Sequence, residues 1–183
     1  SENLPVLKLS INPKMKAVTR FVATAFSLYI LWYIFYDFYL EKHTHFVQDL
    51  IFFETSMTSK LLNWLPLKDH FSSFQQHILC NGRKTLKVGN DCNGLVLFAL
   101  FSGFIIAFPG NLKSKLWYIP LGILLILVFN IVRMALLTLN FLHYRESFAF
   151  NHHVTFTYTV YVFIFMLWVL WVNKLSQPAS SKN

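Results

Sequence analysis

Three segments of the chain carry side chains that could do chemistry together. Asp91-Cys92-Asn93-Gly94 puts a thiol at the head of an apolar run, Asn130 and Arg133 stand inside a second run, and Asn151-His152-His153 opens the last. A thiolate is a nucleophile, an imidazole takes and returns a proton, and a cation stabilises an oxyanion; these parts suffice for acyl transfer through a thioester. A thiol at a helix N-terminus also gains thiolate character from the helix dipole and the free amide hydrogens. Asn93, Asn130 and Asn151 read as supporting or substrate-binding groups around Cys92, Arg133, His152 and His153. The spacing contains no metal-type Cys/His pattern, no glycine-rich phosphate loop and no His-Glu-x-x-His, so neither a metal nor an organic cofactor is expected.

Each of these residues also has a plainer role open to it. Arg133 can snorkel outward or tie helices together. Cys92 can be inert packing, or can pair with Cys80 in a disulfide, since both are expected on the oxidising side. A pair of interfacial histidines is ordinarily solvated, and His43, His45 and His143 are imaginable haem ligands. Two readings from other classes therefore stand beside the enzyme: a non-enzymatic membrane scaffold and a small haem-binding membrane protein.

The elements that must position these residues are membrane helices. Of 183 residues, 55% are hydrophobic and 13% charged, with 20 Phe, 8 Tyr and 5 Trp. Soluble domains carry about one-quarter charged residues, and runs of about 20 apolar residues mark bilayer spans. The fold class expected is an all-α integral membrane protein forming one domain over 1–183, with spans at 21–40, 92–108, 117–139 and 154–172. The formal charge of +8 points to membrane topology rather than to nucleic acid, because the basic residues are scattered among apolar segments. Lys8, Lys14, Lys16 and Arg20 precede the first span, Lys113 and Lys115 separate the second and third, and Lys174 and Lys182 follow the fourth. That pattern places both termini in the cytoplasm and residues 41–91 and 141–152 outside. Arg133, 16 residues beyond Trp117, then rises about 24 Å up its helix into the outer leaflet, with Asn130 one turn below on the same face.

The long outer connection has its own pattern. Phe46, Leu50, Phe53, Met57, Leu61 and Trp64 recur every three or four residues, while Asp49, Glu54 and Lys60 make 44–65 a poor span, so it reads as an amphipathic interfacial helix stopped by Pro66. A hairpin over 77–91 follows, turning at Asn81-Gly82. Residues 176–183 form a polar tail expected to be disordered.

Asp91-Cys92-Asn93-Gly94-Leu95, Asn130-Ile131-Val132-Arg133 and Asn151-His152-His153, in this order and at matching membrane depth, resemble the Cys, Arg and His blocks of the exosortase/archaeosortase family. The length and the run His152-His153-Val154-Thr155-Phe156-Thr157-Tyr158 are most similar to the short exosortase F branch. The resemblance implies a multi-pass, sortase-like transpeptidase of the cell inner membrane with its active site on the extracytoplasmic side. Its partners would be the lipid bilayer, an acceptor nucleophile, and exported proteins ending in a sorting signal: a short motif, a transmembrane segment and a basic end. On the matching blocks Cys92 would be the nucleophile, Arg133 the oxyanion or substrate-positioning residue, and His152 or His153 the acid/base. Many members have Cys-Ser-Gly where this chain has Cys-Asn-Gly, which leaves the nucleophile in place and alters its surroundings.

Overall fold

The computed structural model describes residues 13–40, 45–148 and 155–175. Helix α1 (Pro13–Phe35) starts at a proline, whose fixed φ suits a first helical turn, and continues into a π-helical turn, Tyr36–Leu40. After it come α2 (Phe46–Trp64), the strands β1 (Phe71–Phe74), β2 (His77–Cys80) and β3 (Arg83–Lys87), and a one-turn 3-10 helix, Asn90–Cys92. Three more helices complete the order: α3 (Leu95–Ala107), α4 (Leu112–His143) and α5 (Phe156–Leu170), the last extended by a π-helical turn, Trp171–Leu175. Among the described residues three stretches are long and apolar enough to cross a membrane: Met15–Leu40, Leu112–His143 and Thr157–Leu175.

The fold class is the expected one, a mostly helical membrane protein, with two differences of detail. The run expected to span at 92–108 forms only a 13-residue apolar helix, α3, about 20 Å long, which is shorter than a hydrocarbon core of about 30 Å. Its head is cut off because Asn93 and Gly94 break the helix before Leu95, with Gly94 at φ 74 in the left-handed region that glycine adopts without steric cost. The expected hairpin is part of a three-stranded antiparallel sheet in the order β1-β2-β3. Asn81 and Gly82 both take positive φ and close β2 on β3, pairing Cys80 with Arg83. Asn81 then ties the turn back to the start of β1, its Nδ2 donating to Asp69 Oδ1 at 2.8 Å and its Oδ1 accepting from the His70 amide at 2.9 Å.

Helix α2 stops where Pro66 demands it: Leu65 is extended at ψ 150. The helix exposes Phe46, Phe53 and Trp64 of its apolar stripe to the surroundings, while Leu50 and Leu61 pack against the core. Its opposite face, Val47, Ile51, Glu54, Thr55, Thr58, Ser59 and Leu62, is the buried one and packs on the sheet and α4. Hydroxyls on this face are absorbed locally, Thr58 donating to Glu54 O at 2.7 Å and Ser59 to Thr55 O at 2.9 Å. The side chain of Asn63 pairs with β1 as a strand would, donating to Phe71 O at 2.7 Å and accepting from Phe71 N at 2.8 Å.

Two apolar cores result. One joins α2 and the sheet to the outer part of α4 through Ile51, Leu62, Phe71, Ile78, Leu86, Met134 and Leu137. The other joins α3, α4 and α5 through Phe101, Ile105, Ile126, Ile164 and Trp171. Stacked pairs Phe104 with Trp168 (4.4 Å) and Phe129 with Phe163 (4.5 Å) fill the space between α5 and its neighbours. The α3–α4 reversal is held by polar caps: Lys115 Nζ donates to Ile106 O (2.9 Å) and Phe108 O (2.7 Å), and Asn111 Oδ1 accepts from Lys113 N at 3.1 Å.

Gly122 sets how closely α3 and α4 approach, because a Cβ there would overlap the fully buried ring of Phe101. Gly122→Ala should therefore cost about 1–3 kcal/mol through overpacking, outweighing alanine's better helix propensity. Thermal unfolding in detergent checks this; an alanine variant at least as stable as the parent would show that the helices yield at this crossing.

Candidate active site

Between the two cores, one turn from Ile126 on one side and one turn from Met134 on the other, α4 carries Asn130 with 1% exposure. Its Nδ2 donates to Cys92 O at 3.0 Å and to Glu54 Oε1 at 2.9 Å. The Cys92 carbonyl can only accept, so the amide must present its nitrogen there, and both of its hydrogens are then used. One side chain thus ties together three segments that are 38 and 76 residues apart in sequence.

Cys92 sits where the chain enters α3. It ends the 3-10 turn, with its N–H bonded to Gly89 O at 3.0 Å, and is half-buried. Fully buried Asn93 follows, and its Oδ1 accepts from Leu95 N at 3.0 Å, so this side chain caps α3. The expectation of a thiol on the first helical turn is corrected accordingly: Cys92 precedes the helix by a capping residue and a left-handed glycine. Cys-Asn-Gly is therefore a local structural unit in which Cys92 is half-buried at the turn, Asn93 ties down the Leu95 amide and Gly94 is the bend. Gly94 also lies against Asn130, whose Nδ2 is 3.6 Å from where a Cβ would be.

Arg133 is one turn beyond Asn130 on α4, half-buried, and its Nε is shielded from solvent without a hydrogen-bond partner. Its charge acts on Glu54, which the sequence marks only as one of the charges that make 44–65 a poor span. Glu54 is fully buried. Burial pushes its carboxyl up to about 8, against the opposing pull of the Asn130 hydrogen bond and the Arg133 charge. Glu54 Oε2, Asn130 Oδ1 and Asn93 Nδ2 are also buried without partners, so polar capacity is concentrated around the Cys92 turn. The signal for Glu54 was present in the sequence: Val47, Ile51, Glu54, Thr58 and Leu62 form a second stripe at helical spacing, with one carboxyl at its centre.

Of the sequence-nominated residues, Cys92, Asn93, Asn130 and Arg133 are gathered in this region, while Asn151, His152 and His153 lie outside the described residues. Cys80 is elsewhere, in β2, and is not bridged to Cys92. Burial, and then the charge of Asp69, push the Cys80 thiol up, which disfavours the thiolate there. Among the described residues no group of three or more His, Cys, Asp or Glu is arranged to hold a metal.

Comparison with known proteins gives one match: the family model described as transmembrane exosortase aligns with residues 14–172, and it distinguishes no branch. No curated protein and no solved structure matches the chain.

The buried carboxyl of Glu54 makes stability pH-dependent. Its folded value, about 8, lies above the ordinary 4.5, so between these values the folded state holds a proton that the unfolded state has released. Its contribution is complete at low pH and is lost as pH rises through 8. Stability of the parent relative to Glu54→Gln should fall from pH 5 to pH 8 by up to about 1.4 kcal/mol per unit. Thermal unfolding of both proteins in detergent across this range measures it, and parallel curves would contradict a buried neutral carboxyl.

Proposed function

We propose that this chain, which belongs to the transmembrane exosortase family, is a membrane-embedded cysteine transpeptidase that cleaves the C-terminal sorting signal of exported proteins and passes them to an acceptor. The observation that carries the reading is the 3.0 Å bond from Asn130 to the carbonyl of Cys92, which fixes the cysteine turn to the helix turn that precedes Arg133. A cysteine whose backbone is held to the same helix that carries Arg133 one turn on is a suitable start for acyl transfer.

In the proposed reaction the substrate's membrane anchor lies beside the helices and presents its motif at the outer interface, so position substitutes for affinity. The Cys92 thiolate attacks the scissile carbonyl carbon. A C–S bond forms, the carbonyl electron pair moves to oxygen, and Arg133 stabilises the resulting negative charge. Collapse of the adduct breaks the C–N bond, and His152 or His153 supplies the proton to the departing amine. The anchor fragment leaves, and the thioester is resolved by the acceptor nucleophile or by water, with the imidazole taking the proton back. The Lys/Arg distribution supports an active site on the extracytoplasmic side of the cell inner membrane. Support for Cys92 over Cys80 comes from their settings, since Cys80 is buried in the sheet with its thiol pushed up.

Co-expression with C-terminally anchored exported proteins, followed by detection of anchor loss, tests this. Cys92→Ala should abolish processing and Cys80→Ala should largely spare it. Arg133→Lys keeps the charge and the stem but replaces a planar fork with a point donor, so it should remain folded and lose about 10²–10³ in rate. Equal loss in the two cysteine variants, or a fully active lysine variant, would overturn these assignments.

A further inference from the structure

We infer that Glu54, on the amphipathic helix α2, is a positioning residue for the nucleophile, acting through Asn130 to hold the backbone of Cys92. The inference rests on Cys92 being the nucleophile, as proposed above, and it turns α2 from a membrane-surface accessory into part of the reaction machinery.

The geometry is specific. An amide side chain turning about its last bond has little to hold it, and Asn130 Oδ1 has no partner. What fixes the plane of the Asn130 amide is therefore its nitrogen, whose two hydrogens go to Glu54 Oε1 at 2.9 Å and Cys92 O at 3.0 Å. Remove the Glu54 oxygen and the amide keeps one bond and gains rotational freedom, and the Cys92 carbonyl loses its fixed donor. Glu54 itself is immobile, with no exposure, and the backbone around it is stiffened by Thr58 donating to Glu54 O at 2.7 Å. Thr58 also faces α4, its hydroxyl 3.9 Å from Met134 Sδ. Because Glu54 is fully buried it cannot touch substrate, so its effect passes through its neighbours, through the Asn130 bond to the cysteine turn and through charge to Arg133, and only the first of these reaches the Cys92 backbone.

A buried carboxyl is costly to a helix that lies on a membrane surface, and a leucine would fill the same core more cheaply. Its position beside the buried amide of α4 that reaches the cysteine turn fits a role in placement.

The test is a double-mutant cycle in a Cys80→Ala background, reading anchor cleavage and, separately, the rate at which a neutral maleimide alkylates Cys92. Glu54→Ala should lower kcat by about 10²-fold with KM changed by less than about twofold, since no substrate contact is lost. Asn130→Ala should cost a similar factor, and the double variant about the same rather than the product, because both changes break one chain of contacts. Alkylation should move the other way, about fivefold faster in Glu54→Ala, because release of the carbonyl opens the half-buried thiol. Glu54→Gln keeps a carbonyl acceptor for Asn130 and should stay within about tenfold of the parent in kcat, with unchanged alkylation; it answers the question if the alanine variant does not fold. Multiplicative losses in the cycle, unchanged alkylation in Glu54→Ala, or a folded Glu54→Gln as impaired as the alanine variant would each overturn the inference. Continued cleavage by Cys92→Ala would instead sink the proposed function, and the alkylation arm would still report on the positioning.

Discussion

The arrangement depends on a single amide in an apolar place. Asn130 sits in the middle of a 32-residue hydrophobic helix, where an unsatisfied polar group costs several kcal/mol. Its nitrogen must find two acceptors, and among the described residues it has a main-chain carbonyl from the turn ahead of α3 and a carboxyl from α2. Meeting that need turns the face of α2 that carries Glu54 among Val47, Ile51, Thr58 and Leu62 inward, and the outward position of Phe46, Phe53 and Trp64 follows. The sheet between α2 and α3 then has a fixed span to bridge, which it does with β3 leading to Val88, itself buried in the outer core.

Burial of Glu54 is made tolerable in two ways. The carboxyl takes up a proton at neutral pH, which removes most of the desolvation cost, and the Asn130 bond and the nearby Arg133 lower what is left. Arg133 has a reciprocal benefit, because a cation partway along a span is expensive unless something polar faces it. The apolar contacts on either side, around Met134 and around Ile126, exclude water from the group and so strengthen each interaction inside it.

Much of this was legible from residue types. The apolar runs announced a helical membrane protein, Asn81-Gly82 announced a turn, and Pro66 the end of α2. Cys92, Asn93, Asn130 and Arg133 could be nominated because polar or reactive groups at the ends and middles of spans need a reason. What could not be read was the inward face of α2. Periodicity identifies a stripe that prefers apolar surroundings, but a bilayer and a protein core satisfy it equally, so the stripe of Phe46, Phe53 and Trp64 did not say which side faced the protein. Glu54 stands at the centre of a second stripe, and for that reason the stripe alone does not mark it as the inward one. Strand β1 is not legible because Phe71-Ser72-Ser73-Phe74 has no alternation; its pairing comes from β2 on one side and the Asn63 side chain, which no strand pattern announces. The shortness of α3 was hidden by composition too, since Cys92, Asn93 and Gly94 precede an uninterrupted apolar run and only their backbone geometry ends the helix there.

The central claim is that Cys92 carries the acyl group of a cleaved substrate. It is tested most directly by incubating the purified protein in membranes with an anchored substrate, without an acceptor, quenching in acid and determining by intact mass and peptide mapping what is attached to the chain. The account predicts an added mass equal to the N-terminal portion of the substrate, located on Cys92, released by hydroxylamine and absent from Cys92→Ala. Cleavage of the substrate with no adduct on Cys92, or with the adduct on another residue, would contradict it.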